Sequence, residues 1–557
     1  MEKYYNDAII GNTNIVASFT KYGELLRMYY PNRDYKQVIN FFHMGLKIND
    51  SNIIYLHKDI NNLYEQYYDE DTNILNTEIF NTYFNLRVIQ TDYISIRENI
   101  LVRKYKFINE NAIDLDLNLL VHSGLNSSPT NIISGMCRND TLMQYNHEYM
   151  MCTFSKEKLL SSQINNTSAN INDGKIWDKD YVGMSDNSSI SYDLGTIKPN
   201  EIREFELYIY IDDSKNGLDS IEKTVDRIRK LDFRTEYEAV KKYWKKYLKD
   251  HNGLELDIAD TPKTRKIKEI YTRTILLYAL LVNNETGGIS AAVEIDETLS
   301  KCGGYDYCWP RDAVFITYAM DILKMKKEVE KFYKTFCKTT QSRNGMWEQR
   351  FFTDGKLAPC WGYQVDETAS VVYGVYNHYE YTKSEKFLKS VLPMCEKAVD
   401  FLKKYVKDWL EINVTEDDKK DVVKEEIENM VKQNGHKYHV SYDLWEMCEG
   451  IHLYSLASIY SAFDSMLKIY EVLGSDVSGF ENNRLKEEKI SKNKKVLEKL
   501  LVEIKKYINT NLYDEEQKCY VRNTEDKEMD ISLIGTGVPF NVFKPKEKKI
   551  QNTIERI

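Results

Sequence analysis

The chain has 557 residues, of which 42% are hydrophobic and 29% are charged. This balance is typical of a folded protein and excludes a largely disordered one, and the length predicts at least two hydrophobic cores. The formal net charge is -10 with both signs interspersed, and no basic stripe carries interleaved aromatic residues. The composition therefore argues against a nucleic-acid partner.

The N-terminal stretch "MEKYYNDAIIGN" lacks a basic region followed by an apolar core, and no apolar run is long enough to cross a bilayer. The nine cysteines are scattered and never form a CxxC pair, which favours reduced thiols over disulfides or zinc. The chain also has no HExxH motif. We therefore expect a cytoplasmic protein with no membrane partner, no cofactor and no metal site.

The first part of the chain predicts β-strands by its period-two alternation. In "AIDLDLNLLVH" the alternating apolar residues are Ile113, Leu115, Leu117, Leu119 and Val121. In "EFELYIYI" the residues on one face are Phe205, Leu207, Ile209 and Ile211. Many such strands, separated by turn residues, predict an antiparallel β-sandwich larger than one immunoglobulin-type domain.

The pattern becomes helical after residue 216. From Gly217 to about Asn252 the chain is highly charged with helical spacing, which predicts a helical linker. Thr261 and Pro262 then predict the capping and first positions of a helix that ends at Gly287 and Gly288. We place the domains at 1–216 (β-sandwich), 217–260 (helical linker) and 261–557 (helical domain).

Further amphipathic stretches predict helical hairpins in the third segment. They lie at about 312–324, 327–341, 367–382, 386–406, 452–473 and 484–509. Three connections between them are rich in Trp, Tyr, Asp, Glu and Gly: "KCGGYDYCWPRDA", "NGMWEQRFFTDGKLAPCWGYQVDETAS" and "SYDLWEMCEGIHLYS". Such loops at helix starts are where a scaffold displays function, and the alternative is that each loop packs a tryptophan in the core.

The motifs "WPRDA", "QVDETAS" and "DLWE", in this order and with helices between them, resemble glycoside hydrolase family 15, the glucoamylase family, and most closely its bacterial and archaeal branch. The resemblance also includes "YNDAIIGN" near the start and "LIGTGVPFNVF" near the end. It implies an N-terminal β-supersandwich followed by an (α/α)6 barrel. The implied reaction is exo-acting hydrolysis of terminal α-linked glucose with inversion, as in a glucan 1,4-alpha-glucosidase that acts on an α-glucan or maltooligosaccharide.

The resemblance also implies roles for individual residues. Glu446 would be the general acid, and its apolar neighbours raise its proton affinity. Residues that would bind the terminal sugar or form the pocket walls are Tyr307, Trp309, Arg311, Asp312, Trp361, Asp443, Leu444 and Trp445. Trp361 is the expected stacking platform beside the scissile bond, whereas core packing is an equal alternative for Trp445.

Two departures from the family pattern stand out. Met447 occupies a position where relatives commonly have an acidic residue that helps to bind the sugar on the leaving-group side. Glu449 is an open candidate to take the place of that acid.

An inverting enzyme also needs a second carboxylate as general base. In this family the base lies in a later loop, and we find none in this chain. We count too few helices after residue 261 to close the barrel, so we expect a C-terminally truncated sequence or a partner chain that supplies the rest.

Two other functions stay open. A disaccharide phosphorylase of similar architecture would use phosphate in place of a base-activated water. A non-catalytic glucan-binding remnant would keep the acid and the sugar-binding loops without the base. Linkage and chain-length preference, whether for starch-like glucan, dextran or trehalose, is not specified by the sequence, and neither is the oligomeric state.

Overall fold

The computed structural model describes residues 6–12, 14–35, 37–129, 131–165, 167, 171, 176, 181–253, 259–293, 304–410, 440–474 and 483–557. The chain divides into two compact units. The sandwich unit comprises Met1–Leu281 and Val293–Asp306, and the helical unit comprises Val282–Ala292 and Tyr307–Ile557. The predicted domain boundaries after residues 216 and 260 stay a prediction.

The sandwich unit is built from strands. In chain order they are β1 (Ala8–Gly11), β2 (Val16–Phe19), β3 (Leu25–Tyr29), β4 (Ile39–Ile48), β5 (Ile54–Tyr55), β6 (Asn62–Tyr68), β7 (Leu75–Asn81), β8 (Leu86–Ile94), β9 (Ile100–Asn109), β10 (Leu115–Leu125), β11 (Ser134–Arg138), β12 (Thr141–Tyr145), β13 (Tyr149–Phe154), β14 (Ser161–Ile164), β15 (Val182–Met184), β16 (Asn187–Ile197) and β17 (Ile202–Asp213).

These strands form three antiparallel sheets among the described residues. The largest has nine strands in the order β15-β11-β12-β13-β17-β9-β8-β7-β6, the second has the order β14-β16-β10-β4-β5, and the third has the order β1-β2-β3. Inward-facing residues of the two larger sheets, such as Leu119 of β10 and Leu207 of β17, share one core. Burial of apolar side chains from both sheets is the main stabilising contribution of a sandwich.

Helices cover part of the opposite face of the nine-stranded sheet. They are α1 (Leu218–Arg229), α2 (Phe233–His251) and α3 (Pro262–Leu281). Val225, Trp244 and Leu276 from these helices form a second core with Tyr208 and Tyr210 of β17. The predicted linker is therefore helical, and both of its helices bury an apolar face on the sheet.

Two local predictions were wrong. Ile113 is 59% exposed and precedes β10, because residues 110–113 form the turn from β9, in which the Asn109 side chain donates to the Ile113 carbonyl at 2.9 Å. Helix α3 ends at Leu281 instead of at the glycines, because Val282 and Ile289 pair across a tight turn. The Asn283 side chain accepts from two backbone amides in that turn.

The helical unit consists mainly of α-helices with short hairpins between them. The helices are α4 (Pro310–Ile322), α5 (Lys326–Lys331), α6 (Val365–Thr382), α7 (Glu385–Trp409), α8 (Leu453–Leu473), α9 (Asn483–Asn511) and α10 (Lys548–Arg556). α5 continues through a π-helical segment (Phe332–Cys337) and a last turn (Lys338–Thr340). The hairpin strands are β18 (Ser441–Tyr442), β19 (Glu449–Gly450), β20 (Tyr513–Asp514) and β21 (Cys519–Tyr520).

Helix α6 is the central element of the helical unit. It packs against α4, α7 and α8, and nearly every residue of its first half is buried. Because α6 packs against three other helices, its N-terminal residues are held rigidly. The start of α6 is therefore a fixed platform for the loops beside it.

No helix in the described part of the chain combines the length and the apolar character that a membrane-spanning helix needs. The eight cysteines within the described ranges are free thiols. The first three residues of the predicted "KCGGYDYCWPRDA" loop, which include Cys302, lie outside those ranges.

Candidate active site

The stretch that contains Glu446 forms a short hairpin in the helical unit. Ser441 of β18 pairs with Gly450 of β19, and residues 443–448 form the turn between them. Glu446 has a φ of 60°, in the left-handed region that residues other than glycine adopt only when their surroundings enforce it. Its backbone N–H donates to the Asp443 carbonyl at 3.0 Å, so the position of Glu446 is fixed by the turn.

The side chain of Asp443 holds this turn together. Its Oδ1 accepts from the backbone amides of Met447 at 2.7 Å and Cys448 at 3.0 Å, and its Oδ2 accepts from the amide of Trp445 at 3.3 Å. The Asp443 carbonyl in turn accepts from the Gln364 side chain at 2.7 Å. These hydrogen bonds stabilise the turn. The predicted contact of Asp443 with the sugar stays a prediction.

We expect Asp443→Ala to lower the free energy of unfolding by about 2–3 kcal/mol, because backbone donors would lose a charged acceptor. Asp443→Asn should cost less, since one oxygen can still accept from the Met447 and Cys448 amides. The midpoint of urea denaturation measures both effects. Asp464→Ala, which breaks a surface i,i+4 pair with Lys468, is the control and should shift the midpoint little. An equally small shift for Asp443→Ala would contradict this structural role.

The carboxyl group of Glu446 meets the indole of Trp309. Trp309 Nε1 donates to Glu446 Oε1 at 3.0 Å, and Trp309 itself is buried. Partial burial raises the pKa of Glu446 above its ordinary value, while the Trp309 hydrogen bond and the positive charges of Arg311 and Arg350 oppose that shift. The net direction keeps a proton on Glu446 at higher pH than on an exposed glutamate.

Arg311 is the centre of a buried charge network at the start of α4. Its guanidinium lies 3.0 Å from Asp366, 2.9 Å from Glu367 and 3.2 Å from Asp312. The backbone N–H of Arg311 also donates to Glu367 at 2.6 Å. Because the first turn of a helix has unpaired N–H groups and a positive dipole end, both the network and the helix start stabilise the Glu367 carboxylate.

The three carboxylates differ in exposure. Asp366 and Glu367 are fully buried, whereas the Asp312 side chain is 42% exposed. Burial raises the pKa of Glu367 well above its ordinary range, and the neighbouring Asp366 raises it further against the opposing charge of Arg311. Asp312 is therefore the carboxylate of this network that a ligand can reach.

A second cation, Arg350, lies among the predicted aromatic residues. Cys308 and Phe351 pair through hydrogen bonds of 2.8 and 2.9 Å, which brings the flanking residues together. The Arg350 guanidinium carbon is 4.5 Å from the ring centroid of Tyr307, 5.3 Å from Trp309 and 4.1 Å from Trp361. These contacts orient the aromatic rings around a fixed positive charge.

The remaining predicted residues are half-buried or exposed. Trp361 is 54% exposed and Trp445 is 47% exposed, so both are accessible from solvent. Leu444 is half-buried, and Met447 is 71% exposed. The packed-tryptophan alternative holds for Trp347 in the middle loop, which is fully buried and donates to the Cys337 carbonyl at 3.0 Å.

The model of glycosyl hydrolases family 15 matches residues 265–557, which is more than half of the chain and includes Trp309, Glu446 and their neighbours. The chain belongs to glycosyl hydrolases family 15. The predicted family is confirmed, and a glycoside-acting enzyme is the activity class that this membership supports.

Similarities to individual proteins extend over most of the chain. An uncharacterised glycosyl hydrolase of Methanocaldococcus jannaschii is 25% identical, with 99% of this chain and 82% of the relative covered. A bacterial glucoamylase solved in complex with acarbose has a TM-score of 0.71 at 16% identity, covering 99% of this chain and 78% of that one. A protein from the human microbiome assigned as a kojibiose phosphorylase has a TM-score of 0.55 at 14% identity, covering 92% and 69%.

The likeness to glucoamylase confirms the predicted fold class, in which an antiparallel β-sandwich is followed by helices of the (α/α)6-barrel type. The sequence analysis did not assign roles to Asp366, Glu367 and Arg350. The signal for the first two was present, since "QVDETAS" places two adjacent acids in the first turn of a helix between apolar residues. Arg350 lacked such a signal, because its aromatic neighbours are brought to it by a strand pairing and a loop.

Proposed function

We propose that this family 15 enzyme is an exo-acting, inverting α-glucoside hydrolase that releases glucose from the non-reducing ends of α-glucans or maltooligosaccharides. The observation that carries the proposal is the half-buried Glu446 carboxyl, which is hydrogen-bonded to the Trp309 indole and lies close to the positive charges of Arg311 and Arg350. A glycosidic oxygen is a poor leaving group, so cleavage needs an acid that still holds its proton near neutral pH.

In this mechanism Glu446 donates its proton to the glycosidic oxygen as the bond to the terminal glucose breaks. The carboxylate that forms is stabilised by the Trp309 N–H and by the positive charges of Arg311 and Arg350. Glu446 therefore changes from a protonated acid to a stabilised anion without a movement of its neighbours. Such a preorganised environment lowers the barrier because it needs no reorganisation during the reaction.

The terminal glucose is held by polar and aromatic groups around Glu446. Asp312 offers a carboxylate to sugar hydroxyls, Arg311 fixes the position of Asp312, and Trp361 offers an exposed ring for stacking. Inversion also requires a second carboxylate that activates water, roughly 6.5 to 9.5 Å from the acid. We assign no general base among the described residues.

The pH dependence tests the acid role directly. Glu446 works in its protonated form, so kcat/KM should fall as the pH rises through its pKa. Trp309→Phe removes a hydrogen bond that lowers this pKa, so the alkaline limb of the pH–rate profile should move to higher pH. Trp361→Phe is the matched control, because it should raise KM without moving that limb. An unmoved limb in Trp309→Phe would contradict the assignment of Glu446 as the titrating acid.

The function itself is tested by the products formed from maltotriose and longer maltooligosaccharides. We expect glucose as the first product, released in the β-anomeric form and resolved from the α form by proton NMR. Release of maltose or longer sugars from the interior of the chain would contradict exo action. Sugar binding without any turnover would contradict hydrolysis and support the glucan-binding alternative.

A disaccharide phosphorylase is the second candidate. The fold likeness to the protein assigned as a kojibiose phosphorylase supports it, and so does Arg350, a cation close enough to Glu446 to affect its pKa. If phosphate attacks the sugar, turnover should require inorganic phosphate and yield glucose 1-phosphate. Phosphate-independent release of free glucose would exclude this candidate.

We also propose a neutral α-glucan as the partner and the cytoplasm as the location. The location rests on the free thiols at all described cysteines, which reducing compartments preserve. The partner rests on a site that combines carboxylates, arginines and aromatic rings, which suits uncharged hydroxyl-rich sugars.

A further inference from the structure

Three side chains in the sandwich unit converge far from one another in sequence. Glu24, His43 and His57 each offer one oxygen or nitrogen atom, and these three atoms all lie within 4.8 Å of one another. The His43 Nε2 and Glu24 Oε1 atoms are 3.2 Å apart. The rings of His43 and His57 stack with centroids 4.5 Å apart.

The framework around these side chains is rigid. Glu24 lies in the turn between β2 and β3, His43 is in β4, and His57 follows β5, which pairs with β4 at Gly45 and Tyr55. Glu24 is 8% exposed and His57 is 4% exposed. Because buried polar groups are costly unless they are satisfied, two imidazoles and a carboxylate gathered in one place need a common partner or a hydrogen-bond network.

We propose that Glu24, His43 and His57 bind a divalent transition-metal ion, most favourably Zn²⁺, with the remaining coordination position open to water. Two imidazoles and one carboxylate are a ligand set typical of zinc, and they leave a fourth position in a tetrahedral site. Zinc–nitrogen bonds of about 2.1 Å place ligand atoms about 3.4 Å apart in such a site. The 3.2 Å between His43 Nε2 and Glu24 Oε1 is close to that spacing, and the His57 ligand atom lies within 4.8 Å of both.

Two cations lie near the site, Arg103 and Lys58. Arg103 is fully buried close to the site, but its guanidinium Nε lies 2.7 Å from Asp92 Oδ1, so its charge is compensated. The side chain of His43 is 21% exposed, which leaves a route for the ion from solvent. On binding, His43 carries its proton on Nδ1, because Nε2 must offer its lone pair to the metal.

A metal at this position would connect three segments that are separated in the chain: the β2–β3 turn, β4 and the segment after β5. Its effect is to stabilise the sandwich unit, since an ion that binds only the folded state shifts the unfolding equilibrium. The sequence predicts no metal site, because its cysteines form no CxxC pair and it contains no HExxH motif. These ligands are brought together by strand pairing instead.

The test uses the full chain, stripped of metal with a chelator and titrated with Zn²⁺ and with Co²⁺ as a spectroscopic substitute. We expect one ion per chain, a rise of the thermal unfolding midpoint, and cobalt absorption bands typical of low coordination number. The affinity is measured by competition with a chelator of known strength.

The variants Glu24→Gln and His57→Gln should each lower zinc affinity by at least about tenfold and abolish the cobalt spectrum, because each removes a direct ligand. His122→Gln is the matched control, since His122 is a buried histidine whose ring centroid lies 6.4 Å from that of His43 but which is outside the ligand set. It should keep wild-type affinity. The variants' unfolding midpoints without metal show that each is folded.

The measured zinc affinities distinguish a specific site from adventitious binding. Loss of binding in both ligand variants, with the control unchanged, supports the site. Wild-type affinity in either ligand variant, or less than one ion per chain in the unsubstituted protein, would overturn it and identify any bound zinc as adventitious.

Discussion

Glu446→Gln is expected to lower kcat for glucose release by roughly 10²- to 10⁴-fold, the range that a general acid contributes. The amide has nearly the same shape and can still accept the hydrogen bond from Trp309, but it holds no acidic proton for the glycosidic oxygen. Binding of a maltooligosaccharide should change much less. The measurement is the initial rate of glucose release, together with the dissociation constant of the unreacted sugar from calorimetry.

The control for this substitution is Glu528→Gln, a glutamate whose side chain is 79% exposed and lies outside the proposed site. Its kcat should equal that of the unsubstituted chain. A Glu446→Gln variant that retains more than about a tenth of the rate would show that another group supplies the proton. In that case the proposed mechanism fails while the family membership stands.

Arg311→Met is expected to lower the free energy of unfolding by about 3–5 kcal/mol, because it leaves the buried Asp366 and Glu367 carboxylates without their cation. The loss should shrink as the pH falls. Burial already raises the pKa of Glu367 against the opposing charge of Arg311, and removal of Arg311 raises it further. The folded variant therefore takes up a proton on Glu367 at higher pH than the unfolded chain does, and it recovers stability in acid. Urea denaturation of the full chain at several pH values measures both effects.

Arg87→Met is the matched control, since it also removes an arginine that pairs with glutamates but does so at the surface, where the Arg87 side chain is 35% exposed. An exposed pair contributes about 0–1 kcal/mol, so its loss should be small and nearly independent of pH. Equal effects of the two substitutions would mean that the Arg311 network does not carry the buried charge that the structure shows.

Much of the fold was predictable because it follows from local periodicity. The alternation in "EFELYIYI" identified a strand whose Phe205, Leu207, Ile209 and Ile211 are all buried in the sandwich core, and the Thr261–Pro262 pair marked the start of α3. Errors occurred where side chains compete with periodicity for the backbone. The turn at Asn109 delays the start of β10 to Leu115, although the apolar alternation begins at Ile113. The turn at Asn283 follows the end of α3 at Leu281, before the predicted end at the glycines.

The site was predictable only in part. Trp309, Arg311 and Glu446 stand in short motifs whose family resemblance assigned them roles, and the structure brings Trp309 and Glu446 into hydrogen-bond contact. The same motifs did not show that the Asp443 side chain accepts hydrogen bonds from three backbone amides of its own loop. Nor did they show that Asp366 and Glu367 are buried against Arg311, because burial depends on how α6 packs against α4.

The sequence by itself determined the family and the order of a β-rich part and a helical part, and it supplied "SYDLWEMCEG" as the stretch of the proposed acid, since these depend on residue types and spacings within short segments. Only the tertiary structure decided which groups meet: Trp309 with Glu446, Arg311 with Asp366 and Glu367, and Glu24 with His43 and His57. The physical reason is that the pKa of a carboxyl and the affinity of a metal site depend on desolvation and on distances of a few ångströms, and packing between distant segments sets both.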